Sequence, residues 1–281
     1  RTTGVSANSA VNAAIAAASP ARPTCSEPSG CRKPPSRNTG PEAVVSGWIA
    51  VAGAGSIGVA HIRAAQASPT CALSAIVDPS PQAIRTAAGA GVPLFKSLDE
   101  LLERNRPEGV ILATPNSLHV PQALQCVAAG VPILLEKPIA PTVAEGEQLA
   151  KAVKAKKAKV LVGHHRAHSP IMAKARQVVE SGVLGRLVAV MGSATFLKPD
   201  DYFACAPWRR EIGAGPILLN MIHEVHNLRM LCGEIAAVQA FGGDAAWHAR
   251  QGLRDGVVRD AVQDGFDGVL GREALPQLPR A

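Results

Sequence analysis

From Trp48 onward, apolar runs of four to six residues alternate with amphipathic stretches, and the alternation predicts strands and helices in turn. The segment WIAVAG, starting at Trp48, reads as a buried strand, followed by a helix from Ile57 to about Ala67. Cys71–Val77 reads as a second strand and Pro81–Ala88 as a second helix. Ser97 and Glu100 form an S-x-x-E capping box that opens a short third helix. Gly109–Ala113 (GVILA) is another buried strand, and the helix after it, from about Leu118 to Ala129, stops at Gly130. Val131–Leu135 is the next strand. Thr142 and Glu145 form a second capping box, for a helix running to about Lys156, and Val160–Gly163 is a strand again. Strands that alternate with helices through short links predict a parallel sheet covered on both faces.

After Pro170 the rhythm changes. A helix at about Ile171–Ser181 leads to a predicted strand at Leu187–Thr195, then a polar loop, an apolar helix near Pro216–Leu231 and a strand at Ala236–Phe241. This reads as the start of a second, α+β domain. From His248 to Ala281, Arg, Gly and Asp recur among scattered Val and Leu, and no set of strands is legible. Residues 1–46 are rich in Ala, Ser, Thr and Pro without either periodicity, which predicts an unstructured extension.

Composition narrows the chemistry. Aromatic residues make up only 3% of the chain, so the core must be built from Ala, Val, Ile and Leu, which suits helices on a parallel sheet. The formal charge of +7 is spread along the chain. The run Lys154, Lys156, Lys157, Lys159 reads as the solvated end of a helix. No aromatic interleaves with the basic residues and no groove-reading motif appears, so nucleic acid is not an expected partner. A mild positive field favours an anionic cofactor or substrate. The cysteines form no CxxC pair. Cys71, Cys126, Cys205 and Cys232 lie in apolar segments and read as small buried hydrophobes, pointing to a reducing compartment, the cytoplasm. No apolar run approaches the roughly 18 residues of a membrane span, so no membrane partner is expected.

Three motifs carry chemistry, each at a predicted strand end. The first is Gly53-Ala54-Gly55-Ser56-Ile57-Gly58, a G-x-G-x-x-G between strand and helix. Gly53 permits the tight turn, Gly55 leaves room for a pyrophosphate, and Gly58 lets the helix pack close. Asp78 follows twenty residues after Gly58, at the end of the second strand, where a carboxylate can accept from both ribose hydroxyls. Pro79 and Ser80 come next, with no Arg to grip a 2′-phosphate, so NAD is expected in preference to NADP. An Asp-Pro turn is the bland alternative for Asp78. The second motif is Thr114-Pro115-Asn116 after Ala113, with His119 opening the helix, placed to line a cofactor's ribose or nicotinamide. The alternative is an ordinary helix-opening turn. The third is Glu136-Lys137-Pro138. A lysine held between an apolar strand and a proline sits near the sheet edge. There it can hydrogen-bond a substrate hydroxyl, and desolvation lowers its pKa toward the proton-transfer range. Glu136 either orients Lys137 or binds the cofactor. His164 and His168 form an i, i+4 pair, but they precede a proline outside a clear helix, and no metal is expected there.

In this order, GAGSIG, Asp78, ATPN with His119, EKP, VGHHRAHSP (Val162–Pro170) and WRREIGAGPILLNMIHEVHNLRMLCGE (Trp208–Glu234) resemble the glucose–fructose oxidoreductase / inositol dehydrogenase family, Gfo/Idh/MocA, over about Trp48 to Gly243. The resemblance implies an α/β fold: an N-terminal Rossmann doubly wound parallel sheet, then an α+β open-sheet domain that forms the substrate wall and the oligomer interface. It divides the chain into an extension at 1–46, a Rossmann domain at 47–168, a partial substrate and oligomerisation domain at 169–243, and a poorly structured tail at 244–281. It implies that Lys137 and His223 are catalytic and face the nicotinamide. It further implies that His165, Arg166, Trp208, Arg209 and Asn220 line the substrate, and that the partners are a small hydroxylated molecule and further copies of the chain. Many members carry Asp four residues before the helix His. Here that position is Leu219, with Asn220 beside it. Members also continue for many more residues past the position of Phe241, so truncation, or a change of reading frame near Trp247, is expected. The expected activity is hydride transfer between NAD(P) and a sugar, cyclitol or similar molecule. A non-catalytic dinucleotide-binding regulator and an inactive fragment remain open as alternatives.

Overall fold

The computed structural model describes residues 47–194, 198–211, 213–215 and 217–239. The expected extension at 1–46 and tail at 244–281 lie outside the described residues.

Six strands form one all-parallel sheet: β1 (Trp48–Ala52), β2 (Ala72–Val77), β3 (Leu94–Phe95), β4 (Gly109–Leu112), β5 (Ile133–Leu135) and β6 (Val160–Val162). Helices fill the crossovers: α1 (Ser56–Ala67), α2 (Pro81–Ala90), α3 (Leu98–Arg104), α4 (Asn116–Ala129) and α5 (Val143–Lys156). The strand order is β3-β2-β1-β4-β5-β6. The winding therefore reverses between β1 and β4, and in such sheets ligands bind outside the strand ends at that reversal.

The core follows from the pleat. Ala50, Ala52, Leu112 and Leu135 point into one apolar layer, while Val51, Ile76, Ile111 and Leu134 point into the other. Strands buried on both faces read as continuous apolar runs, which is why they were legible. Small residues dominate, and Phe95 is the one aromatic in either layer.

Ser97 and Thr142 cap their helices as predicted, though neither box is closed by a bond from the N-cap N–H to the glutamate. The Ser97 hydroxyl accepts the Glu100 N–H, and the Thr142 hydroxyl accepts the Glu145 N–H. Gly91 and Gly130 end α2 and α4 in the left-handed conformation, and the lysine run at the end of α5 is exposed. The two-residue strand β3 was not predicted, because two residues show no periodicity. Cys71 and Cys126 are buried as expected, but Cys205 and Cys232 are exposed: they lie on a five-residue helical turn and at a helix end with little packed over them.

The later part of the chain departs from expectation. Helix α6 (Pro170–Glu180) forms as predicted, and α7 (Asp200–Ala204), a π turn (Ile217–Met221) and α8 (Ile222–Cys232) follow. The predicted strands at Leu187–Thr195 and Ala236–Phe241 are not strands over their described residues, 187–194 and 236–239. A strand exists only with a neighbour to share its hydrogen bonds, and among the described residues neither segment has one; Val188 is 84% exposed and Met191 98%. Among the described residues, the second domain is therefore represented by helices and turns that lean over the C-terminal edge of the Rossmann sheet.

Candidate active site

The glycine motif forms the loop between β1 and α1. Gly53 has φ +94°, and a Cβ there would lie 2.4 Å from the Ala113 carbonyl oxygen, so the ends of β1 and β4 touch only because the side chain is absent. A Cβ on Gly58 would lie 1.8 Å from the Gly53 oxygen, which lets the helix close onto its own loop. Around Gly55 a Cβ would meet nothing within 4 Å. No side chain caps α1 and no acid occupies its first turn, while Ser56 and Ile57 are exposed. The free N–H groups and positive dipole end of this helix thus face open space, a cradle that fits a dinucleotide pyrophosphate.

Asp78 ends β2 with both carboxylate oxygens engaged. One accepts the Ala54 N–H at 2.6 Å, and the other accepts the Ser80 N–H at 2.8 Å. It ties the glycine loop to the next turn, and each oxygen keeps a further lone pair. In the second motif, Thr114 donates to Gln122 Oε1 at 2.7 Å, Pro115 precedes α4, and Asn116 donates to the Gly213 carbonyl at 2.9 Å. Asn116 thus bridges to the second part of the chain. His119 is fully buried. Its Nδ1 lies 2.6 Å from the Pro138 carbonyl and its Nε2 2.9 Å from that of Thr114. It braces the second motif against the third, and no ring nitrogen is left for the cofactor contact expected of it.

In the third motif, Lys137 precedes a cis-proline and its Nζ donates to the Leu219 carbonyl at 2.6 Å, within the π turn. Burial lowers its pKa below the usual lysine value; Glu136 opposes the shift, and Arg166 and Lys198 add to it. Glu136 is buried. One oxygen meets His61 Nε2 at 2.8 Å, and the other accepts the Lys137 N–H at 3.2 Å. Burial raises Glu136, but the hydrogen bond and charge of His61, with the Lys137 charge, outweigh it and hold the carboxyl below its ordinary range.

The strand β6 and the turn after it carry His164, His165 and Arg166 to the same edge. His223, buried on α8, meets the His165 ring edge-on at 4.8 Å and the His164 ring at 6.1 Å. His164 stacks on His226 at 4.2 Å, and Arg166 pairs with Glu224. Burial first, then the charge of Lys137 and its neighbours, pushes His223 down to about 3; burial and His226 push His164 to about 4. The rings are neutral at ordinary pH. His223 Nδ1, His164 Nδ1 and Asn220 Nδ2 are buried without a hydrogen-bond partner. Trp208 and Arg209 are engaged locally. The Arg209 guanidinium lies 3.9 Å over the Tyr202 ring and donates to the Tyr202 carbonyl. Among the described residues, no group of three or more His, Cys, Asp or Glu could hold a metal ion.

Sequence reading missed His61, Glu224 and the Leu219 carbonyl. His61 carried a signal, since Gly58, His61, Ile62 and Ala65 fall on one helical face and all are buried. A backbone carbonyl carries none.

The site is that of a dinucleotide-binding α/β protein, with a glycine cradle on one side of the strand reversal and a lysine–histidine cluster on the other. Residues 48–164 match the oxidoreductase family with an NAD-binding Rossmann fold, and residues 172–271 match the GFO/IDH/MocA C-terminal domain. The chain belongs to the Gfo/Idh/MocA family. It is 28% identical over 194 residues to the rhizopine catabolism protein MocA of Rhizobium meliloti, covering 66% of this chain and 57% of that one. It is 33% identical over 147 residues to an inositol 2-dehydrogenase of Leifsonia xyli subsp. xyli, covering 51% and 43%. Among solved structures it resembles the WlbA dehydrogenase of Bordetella pertussis in complex with NADH and UDP-GlcNAcA. That likeness has a TM-score of 0.67 and 26% identity, and covers 70% of this chain and 62% of that one. The chain thus spans about half the length of the curated relatives it matches. Among the described residues, no helix is long and apolar enough to cross a membrane.

Proposed function

We propose that this chain is the catalytic part of an NAD-dependent dehydrogenase acting on a CH–OH group of a sugar, cyclitol or similar hydroxylated molecule, in an assembly of several copies. The observation that carries this reading is the meeting of Lys137, from the end of β5 in the Rossmann sheet, with the Leu219 carbonyl of the π turn that leads into the His223 helix. Bound NAD supplies the hydride acceptor. Gly53, Gly55, Ser56, Ile57 and Gly58 hold its phosphates, Asp78 its adenosine ribose, and Thr114, Pro115, Asn116 and Glu136 flank the nicotinamide end, with His119 bracing the last group from behind.

The proton is handled by the protein. A lysine with a lowered pKa has an accessible amine form, so Lys137 takes the hydroxyl proton as hydride leaves the same carbon. Reduction reverses both transfers. His223, pushed to about 3, is a weak proton acceptor. Its role is that of a neutral ring whose unpartnered Nδ1, with Asn220 Nδ2, hydrogen-bonds the substrate. His165 and Arg166 line the same side; Trp208 and Arg209 form the more distant wall. The relatives named as inositol dehydrogenases support the substrate class.

NADH fluorescence titration, followed by absorbance at 340 nm with a panel of polyols, sugars and sugar acids, tests the reading. Binding with turnover of any member supports it. Tight binding without turnover across the panel and in both directions favours a dinucleotide-sensing regulator.

A further inference from the structure

We infer that His61, on the phosphate-binding helix, is a positioning residue for Lys137 that acts through Glu136, fixing the carboxylate that also accepts the Lys137 backbone N–H. The inference rests on the role given to Lys137 above. It stands on geometry that neither the glycine motif nor the EKP motif explains alone. His61 and Glu136 are separated by 75 positions, are 6% and 8% exposed, and meet at 2.8 Å. The residue after β6 packs on the carboxylate: a Cβ on Gly163 would lie 2.9 Å from Glu136 Oε1, so a side chain there would displace Glu136 from this position. Lone buried carboxylates are costly, and the usual escape is to protonate. An ionised carboxylate only accepts hydrogen bonds, so the bonded His61 Nε2 carries the proton and donates it. This donor, with the Lys137 N–H on the second oxygen, keeps Glu136 charged.

The consequence falls on Lys137. The groups acting on its ammonium are Glu136, which holds the proton on, and Arg166 and Lys198, which drive it off. Glu136 is the one negative charge in that set. With the His61 donor removed, the buried carboxylate takes up a proton and the opposing charge vanishes. Burial and the two cations then act unopposed, and Lys137 loses its proton at lower pH. An amine of lower pKa is also a weaker base. His61 thus sets the working range of the proposed proton acceptor from the far side of the cofactor cradle, without touching substrate. His119, His164 and His165 also lie within the field of Glu136, and they stay in place in the variants below.

The test is competitive labelling of the full chain with acetic anhydride across a pH series, read at Lys137 by peptide mass spectrometry. It needs neither substrate nor cofactor. In His61→Leu the Lys137 titration midpoint should move to lower pH. In His61→Gln, whose amide keeps a donor near the Nε2 position, it should stay at the wild-type value. Circular dichroism and a thermal unfolding midpoint close to wild type verify the fold. If His61→Leu fails to fold, Glu136→Gln provides the same comparison, since it removes the charge and keeps the shape. A wild-type midpoint in the folded His61→Leu or Glu136→Gln protein overturns the inference, as do equal shifts in His61→Leu and His61→Gln. If the wild-type chain turns over no substrate while the midpoints move as stated, the dehydrogenase reading fails and the His61–Glu136–Lys137 linkage stands.

Discussion

Lys137 and Leu219, 82 positions apart, are joined by a 2.6 Å hydrogen bond from the lysine ammonium to the backbone carbonyl. The carbonyl belongs to a π turn, a widened helical turn found often at functional sites. It anchors the lysine, and a backbone carbonyl cannot take up a proton from it. The proposed mechanism therefore assigns proton transfer to Lys137.

The expected result for Lys137→Met is loss of measurable turnover with NADH affinity within a few-fold of wild type. The lysine touches the proposed substrate oxygen and the Leu219 turn, not the phosphate cradle. His223→Ala should lower kcat/KM by about tenfold, the worth of one hydrogen bond to the substrate. Stopped-flow NADH binding and steady-state rates separate the two effects, and a Lys137→Met protein with normal turnover would remove the lysine from the mechanism.

Asp78→Ser combined with Pro79→Arg should reverse the dinucleotide preference toward NADP(H). The native carboxylate repels a 2′-phosphate and the introduced guanidinium pairs with it. Parallel fluorescence titrations give the ratio. An unchanged ratio would leave Asp78 only its observed bonds to Ala54 and Ser80.

Gly58→Ala should abolish NADH binding and lower the unfolding midpoint. Its Cβ would stand 1.8 Å from the Gly53 oxygen, a backbone atom that cannot yield without moving the whole loop. Gly55→Ala meets no protein atom within 4 Å and should retain stability while losing affinity. Thermal unfolding with and without NADH distinguishes a packing glycine from a ligand-clearance glycine.

Stability should fall as the solution is acidified below neutrality. His223 and His164 sit at about 3 and about 4 in the folded protein against the ordinary 6.5. Between those values the unfolded chain binds more protons than the folded one, so their contribution is complete above about pH 6.5 and is lost as pH drops toward 3. Urea unfolding at pH 7.5, 6 and 5 should show a declining free energy. The decline should be shallower in His223→Gln. An equal slope in that variant would mean that the ring is not held neutral by its surroundings.

The alternation of apolar strand and amphipathic helix, the two capping boxes and the glycine stop at Gly130 were legible because each depends on neighbours within a few residues. Burial on both faces makes a parallel strand readable without its partner. The glycine loop, Asp78 and the EKP motif with its Lys137 were legible for the same local reason, and family resemblance brought in His223. The sequence by itself could not show that Leu187–Thr195 and Ala236–Phe241 lack strand pairing over their described residues, because pairing is a property of two segments. Only the tertiary structure turned His119 from a cofactor contact into a brace between the Thr114 and Pro138 carbonyls. It also joined His61 to Glu136 and brought the Leu219 carbonyl to Lys137. Those contacts link residues on separate elements, and a hydrogen bond across a parallel sheet edge is set by how crossovers bring strand ends together, which no local pattern records.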